Sequence, residues 1–218
     1  METFYYGDKT AKNFFFQPVD RHDLELMESE AKEVERLSNR RDFCIAAVLV
    51  DDWNHDLTPW KADPVFGKTG FGDGADDTFA EIAFRLVPQL LEKYGSPKRL
   101  FLCGYSLAGL FSLWSAYRVE LFAGVAAVSP AVWYHDWIAY ARQNEIKTQK
   151  VYLSLGDKEE KTKNPVMATV GDCIKQQYEL LKRDGADCFF EWNSGNHFVD
   201  SDLRTAKGIA WLLKQYPS

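Results

Sequence analysis

In the run from Arg99 to Trp114, the short apolar segment Leu100-Phe101-Leu102-Cys103 reaches a serine flanked by small residues and leaves it as a helix. Gly104 and Ala108 stand two positions before and two after Ser106. A strand that turns into a helix within about one residue brings those positions almost into contact, so only small side chains fit there. The turn lifts the serine hydroxyl above the sheet edge. It also presents the next amide, that of Leu107, at a helix N-terminus, where it can face a developing oxyanion. Ser106 is therefore the candidate nucleophile and Leu107 a candidate oxyanion donor. The usual pattern has Gly where Ala108 stands, so the string alone is a weak signal, and its context has to carry the reading.

A serine hydroxyl attacks only when a base takes its proton, and where this turn serves acyl transfer the partners follow in the order serine, acid, histidine. Both appear downstream in that order. Val151 to Gly156 reads as a buried strand, and the loop after it, Asp157-Lys158-Glu159-Glu160, offers three carboxylates, Asp157, Glu159 and Glu160. Cys188 to Trp192 reads as a later strand, and the loop Asn193 to Phe198 carries one histidine, His197. Each candidate follows a strand's C-terminal end, the edge at which open α/β sheets build their sites. His22, His55 and His135 fall outside that order: His22 reads as a surface residue before a helix, and the other two as loop or cleft residues. Trp60 and Trp133 are candidate substrate-binding residues, set against the ordinary role of tryptophan in a core.

The elements that must hold these groups alternate. Asn13 to Val19 reads as an edge strand ended by Pro18. Asp23 to Leu37 has apolar residues spaced by three or four, as in an amphipathic helix with Asp23 as its cap, and Phe43 to Val50 is a continuous apolar run, as in a central parallel strand. A helix from Thr78 to about Tyr94 stops at Gly95 and Pro97, Gly124 to Val128 is a buried strand, and helices run over Met167–Arg183 and Asp202–Gln215. This alternation predicts a three-layer α/β/α sandwich on a mostly parallel sheet, as one domain over residues 1–218. The Asp- and Gly-rich stretch from Asp51 to Gly74 is too long for a simple connector and is read as functional.

Composition narrows the classes further. The 218 residues carry 46% hydrophobic and 15% aromatic side chains, enough for one substantial core. A formal net charge of −6 disfavours nucleic acid and anionic membrane surfaces as partners. No run of about 18 apolar residues and no basic-then-apolar leader is seen, so a cytoplasmic location is expected. Cys44, Cys103, Cys173 and Cys188 are widely spaced and read as buried thiols; no metal and no cofactor is expected.

These residues together resemble the putative-esterase branch of the α/β-hydrolases, which includes enterochelin-type siderophore esterases, esterase D, feruloyl esterases and mycolyl transferases. The resemblance spans nearly the whole chain. It is carried by Asp52-Trp53-Asn54-His55-Asp56-Leu57-Thr58-Pro59-Trp60, Gly104 to Gly109, Ser129-Pro130-Ala131-Val132-Trp133, Leu155 to Glu159 and Gly195-Asn196-His197-Phe198. It implies a second oxyanion donor in the loop after Val50, at the amide of Trp53 or its neighbour Asp52, with Trp53 favoured. It also implies an acid about three positions after the glycine that closes the strand, which selects Glu159 ahead of Asp157 and Glu160. The expected activity is hydrolysis of a small-molecule carboxylic ester through an acyl-enzyme, without a lid and with an open cleft. Acyl transfer, a specialised siderophore or carbohydrate ester, and a non-catalytic binding member of the fold are the alternatives. Nothing in the sequence specifies an oligomeric state.

Overall fold

The computed structural model describes residues 1–95 and 99–217. A seven-stranded sheet runs in the order β1-β3-β2-β4-β5-β6-β7, built from β1 (Thr3–Gly7), β2 (Asn13–Val19), β3 (Phe43–Leu49), β4 (Arg99–Tyr105), β5 (Gly124–Val128), β6 (Lys150–Gly156) and β7 (Asp187–Asn193). Only β1 is antiparallel, pairing with β3. The architecture is thus the three-layer α/β/α sandwich with a mostly parallel sheet.

Helices α1 (Arg21–Ser38) and α8 (Ser201–Gln215) cover one face, packing Met27, Val34, Ile209 and Leu213 over Phe15, Ile45, Phe101 and Tyr152. The other face is covered by a continuous helix from Ala75 to Tyr94 and by α5 (Leu107–Arg118), α6 (Trp137–Gln143) and α7 (Val170–Arg183). The long helix comprises α3 (Ala75–Ala80), a π-helical segment Glu81–Leu86, and α4 (Val87–Tyr94). Pro88 has no N–H for the carbonyl one turn earlier, and widening of the preceding turn accommodates the missing bond. Gly95 closes α4 at φ 76°, and Pro97 lies outside the described residues.

Four sequence expectations are corrected. Asn13–Val19 is not an edge strand: it lies between β3 and β4 and is buried throughout. Pro18 is tolerated because β4 pairs with β2 only as far as Phe16. The carbonyl of Val19 accepts from Val50, the residue just after β3, so alternation turns the Pro18 nitrogen to the other flank, beyond the end of the β4 ladder. The α1 cap is Asp20, whose carboxylate accepts from the Asp23 amide at 2.7 Å, and His22 is an exposed residue of the helix itself. Cys44 and Cys103 are buried thiols, whereas Cys173 and Cys188 are only partly covered. The stretch after β3 forms α2 (Trp53–Asp56) and an Ala62–Phe71 antiparallel bridge. Its glycines pass beneath an imidazole: a Cβ at Gly72 or Gly74 would stand 2.3 or 2.5 Å from ring atoms of His55.

Candidate active site

β4, β5, β6 and β7 are successive neighbours in the sheet, and the loops at their C-terminal ends bring Ser106, Ser129, Glu159 and His197 together. Ser106 sits at the corner between β4 and α5 with φ 59° and ψ −120°, a conformation that costs an L-residue about 1–3 kcal/mol. The surroundings over-determine it. Its amide donates to the Val128 carbonyl at 3.1 Å, and its carbonyl accepts from both Leu110 and Ala131 at 3.1 Å. A Cβ on Gly104 would stand 2.5 Å from the backbone carbon of Ala108, so no side chain fits there, whereas the methyl of Ala108 occupies the space that Gly104 leaves.

The imidazole of His197 places Nε2 3.1 Å from Ser106 Oγ and Nδ1 2.7 Å from Glu159 Oε2. Asp157 and Glu160, the other two candidate acids, are exposed. Asp157 accepts from the Gly195 amide at 2.8 Å, while the Asp157 and Lys158 amides donate to the Asn193 and Gly195 carbonyls. Asp157 thus fastens the histidine loop to the acid loop. Glu159 itself is 8% exposed. Its Oε1 accepts from Ser129 Oγ at 2.6 Å, the Gly156 amide at 2.7 Å and Arg204 Nη1 at 3.1 Å. Burial pushes the carboxyl upward, but the hydrogen bond and charge of His197, with the Ser129 and Gly156 donors, hold it below the ordinary value of 4.5. It is a carboxylate at neutral pH, able to orient the imidazole and to stabilise an imidazolium.

Leu107 and Trp53 open α5 and α2, and the first amides of a helix have no intrahelical acceptor. The neighbouring Asp52 amide is committed to the Asp56 carboxylate at 3.1 Å, which favours Trp53 between the two candidates from that loop. The same strand edge carries an open groove of about 710 Å³ lined by residues from the loops after β3, β5 and β6, among them Lys61, Asp63, Trp133, His135 and Val166. Trp133 lines it. Trp60 does not: its indole donates to the His135 carbonyl at 2.9 Å and its ring packs on Tyr134 and Tyr140, so it supports the groove's wall. His55 is held by Asp56 at 3.1 Å and His135 stands 3.2 Å from Asp136; neither joins the cluster around Ser106.

Sequence reasoning missed Ser129, the hydroxyl of Tyr105 and Arg204. Arg204 is 2% exposed, and the only hint of that burial was its run of small neighbours Thr205, Ala206 and Gly208. At Gly208, α8 lies so close to the sheet that a Cβ would meet Ala126 and Tyr152 at 2.9 Å.

Residues 45–201 match the family model described as "Putative esterase". A Bacillus subtilis protein, "Uncharacterized protein YbbA", is 23% identical over 172 residues, covering 76% of this chain and 67% of its own length. Among solved structures, the siderophore hydrolase EstA of Aspergillus nidulans superposes with a TM-score of 0.74 at 19% identity, over 96% of this chain and 85% of that one. An IroE-like serine hydrolase of Shewanella oneidensis gives 0.74 at 17% identity, over 97% of this chain and 73% of that one. Among the described residues, no helix is long and apolar enough to cross a membrane.

Proposed function

The chain belongs to the putative esterase family of α/β-hydrolases, and from that premise we propose that it is a single-domain serine hydrolase, residues 1–218, cleaving small-molecule carboxylic esters through an acyl-enzyme. The observation that carries this reading is the continuous relay from Ser106 Oγ through His197 to Glu159, with contacts of 3.1 and 2.7 Å. In the proposed cycle His197 Nε2 takes the Ser106 proton as Oγ attacks the ester carbonyl, and Glu159 stabilises the imidazolium that forms. The Leu107 and Trp53 amides donate to the oxyanion, contacts of a kind whose removal costs about 10²–10³ in turnover. The tetrahedral intermediate collapses as His197 protonates the leaving alcohol; water then repeats the steps on the acyl-enzyme and releases the acid. Trp133, packed on Phe66 and Phe71, supplies an apolar wall for the part of the substrate that extends into the groove, and Trp60 supports the adjoining wall at Tyr134 and His135.

The likeness to the Aspergillus siderophore hydrolase and the Shewanella IroE-like serine hydrolase supports the same chemistry. The test is labelling of purified protein by a fluorophosphonate together with turnover of short-chain activated esters. Wild type should label at Ser106 and hydrolyse the ester, and Ser106→Ala should do neither while staying folded. Retained turnover in Ser106→Ala refutes the assignment of the nucleophile. Absence of both labelling and turnover in wild type refutes the enzyme reading in favour of a binding role.

A further inference from the structure

The geometry points to Arg204, on α8 just after the histidine loop but far in sequence from the elbow and the acid loop, as a positioning residue that both aligns the relay and moderates the pull of Glu159 on its base; this rests on the serine-hydrolase reading. Arg204 Nη1 lies 3.1 Å from Glu159 Oε1 and 3.1 Å from the hydroxyl of Tyr105, the residue before the nucleophile, and Nη2 donates to the Ser194 carbonyl at 2.8 Å in the histidine loop. Tyr105 in turn donates its hydroxyl to the His197 carbonyl at 2.8 Å. One guanidinium thus touches β4, the acid loop and the histidine loop at once. The planar fork makes these contacts in fixed relative directions, which a lysine cannot do.

Two consequences follow, one of shape and one of charge. The fork and the Tyr105 bond fix the histidine loop to the elbow, so the distance between Nε2 and Oγ is set from behind, away from the substrate. Burial and the Glu159 charge push the Tyr105 phenol up to about 12, so it remains a donor over the whole working range. The charge of Arg204 acts on His197. The titratable or charged side chains facing its ring are Glu159 from the loop after β6 and Tyr105 from β4. Arg204 reaches it through them, and Asp157 is exposed with one oxygen on the Gly195 amide. A buried carboxylate with no counter-ion would attract an imidazolium more strongly than one already paired. Arg204 offsets part of that attraction, so removing its charge favours the protonated ring while the remaining pull of Glu159 serves the imidazolium of the transition state.

The experiment compares Arg204→Met and Arg204→Lys with wild type by kcat, KM and the pH dependence of kcat/KM on a short-chain activated ester. In Arg204→Met the acid limb should move up by about one pH unit, as expected for loss of a charge two hydrogen bonds from the ring. In Arg204→Lys the charge remains, so the limb should stay in place, but kcat should fall about 10- to 100-fold at unchanged KM because the loops lose their common clamp. Should Arg204→Met not fold, Arg204→Gln, an uncharged donor, gives the same reading of the limb. An unmoved acid limb in the uncharged variants overturns the charge role, and wild-type kcat in Arg204→Lys overturns the alignment role. Loss of activity in the wild type would instead refute the serine-hydrolase reading itself, so the two failures are distinct.

Discussion

Replacing Glu159 with glutamine should be more damaging to turnover than deleting the side chain. Every partner of Oε1 is a donor: Ser129 Oγ at 2.6 Å, the Gly156 amide at 2.7 Å and Arg204 Nη1 at 3.1 Å. A glutamine carbonyl fits that position and an amide NH₂ does not, so the NH₂ group must face His197 Nδ1, where Oε2 now lies at 2.7 Å. Nδ1 then becomes the acceptor, the ring proton moves to Nε2, and the nitrogen 3.1 Å from Ser106 Oγ can no longer take the serine proton. Enforcing the wrong tautomer costs about 10⁴ in turnover, or roughly 5 kcal/mol of barrier. Glu159→Ala leaves both tautomers accessible and should retain more activity, yet it strands the buried Arg204 charge and should lose about 3–5 kcal/mol of stability. The order of the two variants is therefore opposite in activity and in thermal stability. Steady-state kinetics on a short-chain activated ester and melting curves on the same preparations measure both. Glu159→Gln within tenfold of wild type, or faster than Glu159→Ala, refutes the argument.

Two further predictions concern stability. Glu30 is 3% exposed, with Oε1 unpartnered; burial, opposed by the Gln17 hydrogen bond and reinforced by Asp23 and Asp202, raises its carboxyl from 4.5 to about 8. Below pH 4.5 both folded and unfolded chains are protonated there, and between that value and about pH 8 only the unfolded chain ionises, so folding stability falls as pH rises. Glu30→Gln should remove that loss, a relative gain on the order of 3 kcal/mol at pH 7 against pH 4 in denaturant titrations; equal differences at the two pH values would refute it. Ser106→Gly should match Ser106→Ala in lacking turnover but melt higher, since glycine relieves the φ of 59°. The expected gain is about 1 kcal/mol, or roughly 2–4 °C, and a lower melting temperature than Ser106→Ala would count against strain at the elbow.

The alternation of apolar strands with amphipathic helices made the parallel sheet legible, because β3 to β6 are buried on both faces and their sequences are continuous apolar runs. The chain order of Ser106, Glu159 and His197 was legible because each follows a strand that could be recognised. What could not be read depends on contacts between distant segments. The central place of β2 was hidden by Pro18, whose harmlessness depends on where a neighbouring ladder ends. The same holds for Arg204, which in sequence is one more cation on a charged helix, and for Trp60, whose indole turns toward a carbonyl 75 residues away. The short helices α2 and α6 have too few residues for periodicity to register.

The two sides of the elbow are not equivalent. Position 104 faces backbone atoms of residue 108 that no neighbouring substitution can remove, while position 108 faces the empty hydrogen of a glycine and carries its methyl without conflict. Sequence drift at this corner is therefore open from one side only. A search that demands glycine at both flanks of the serine discards chains such as this one. A search that demands it only on the strand side retains them and still respects the single contact that the backbone cannot relax.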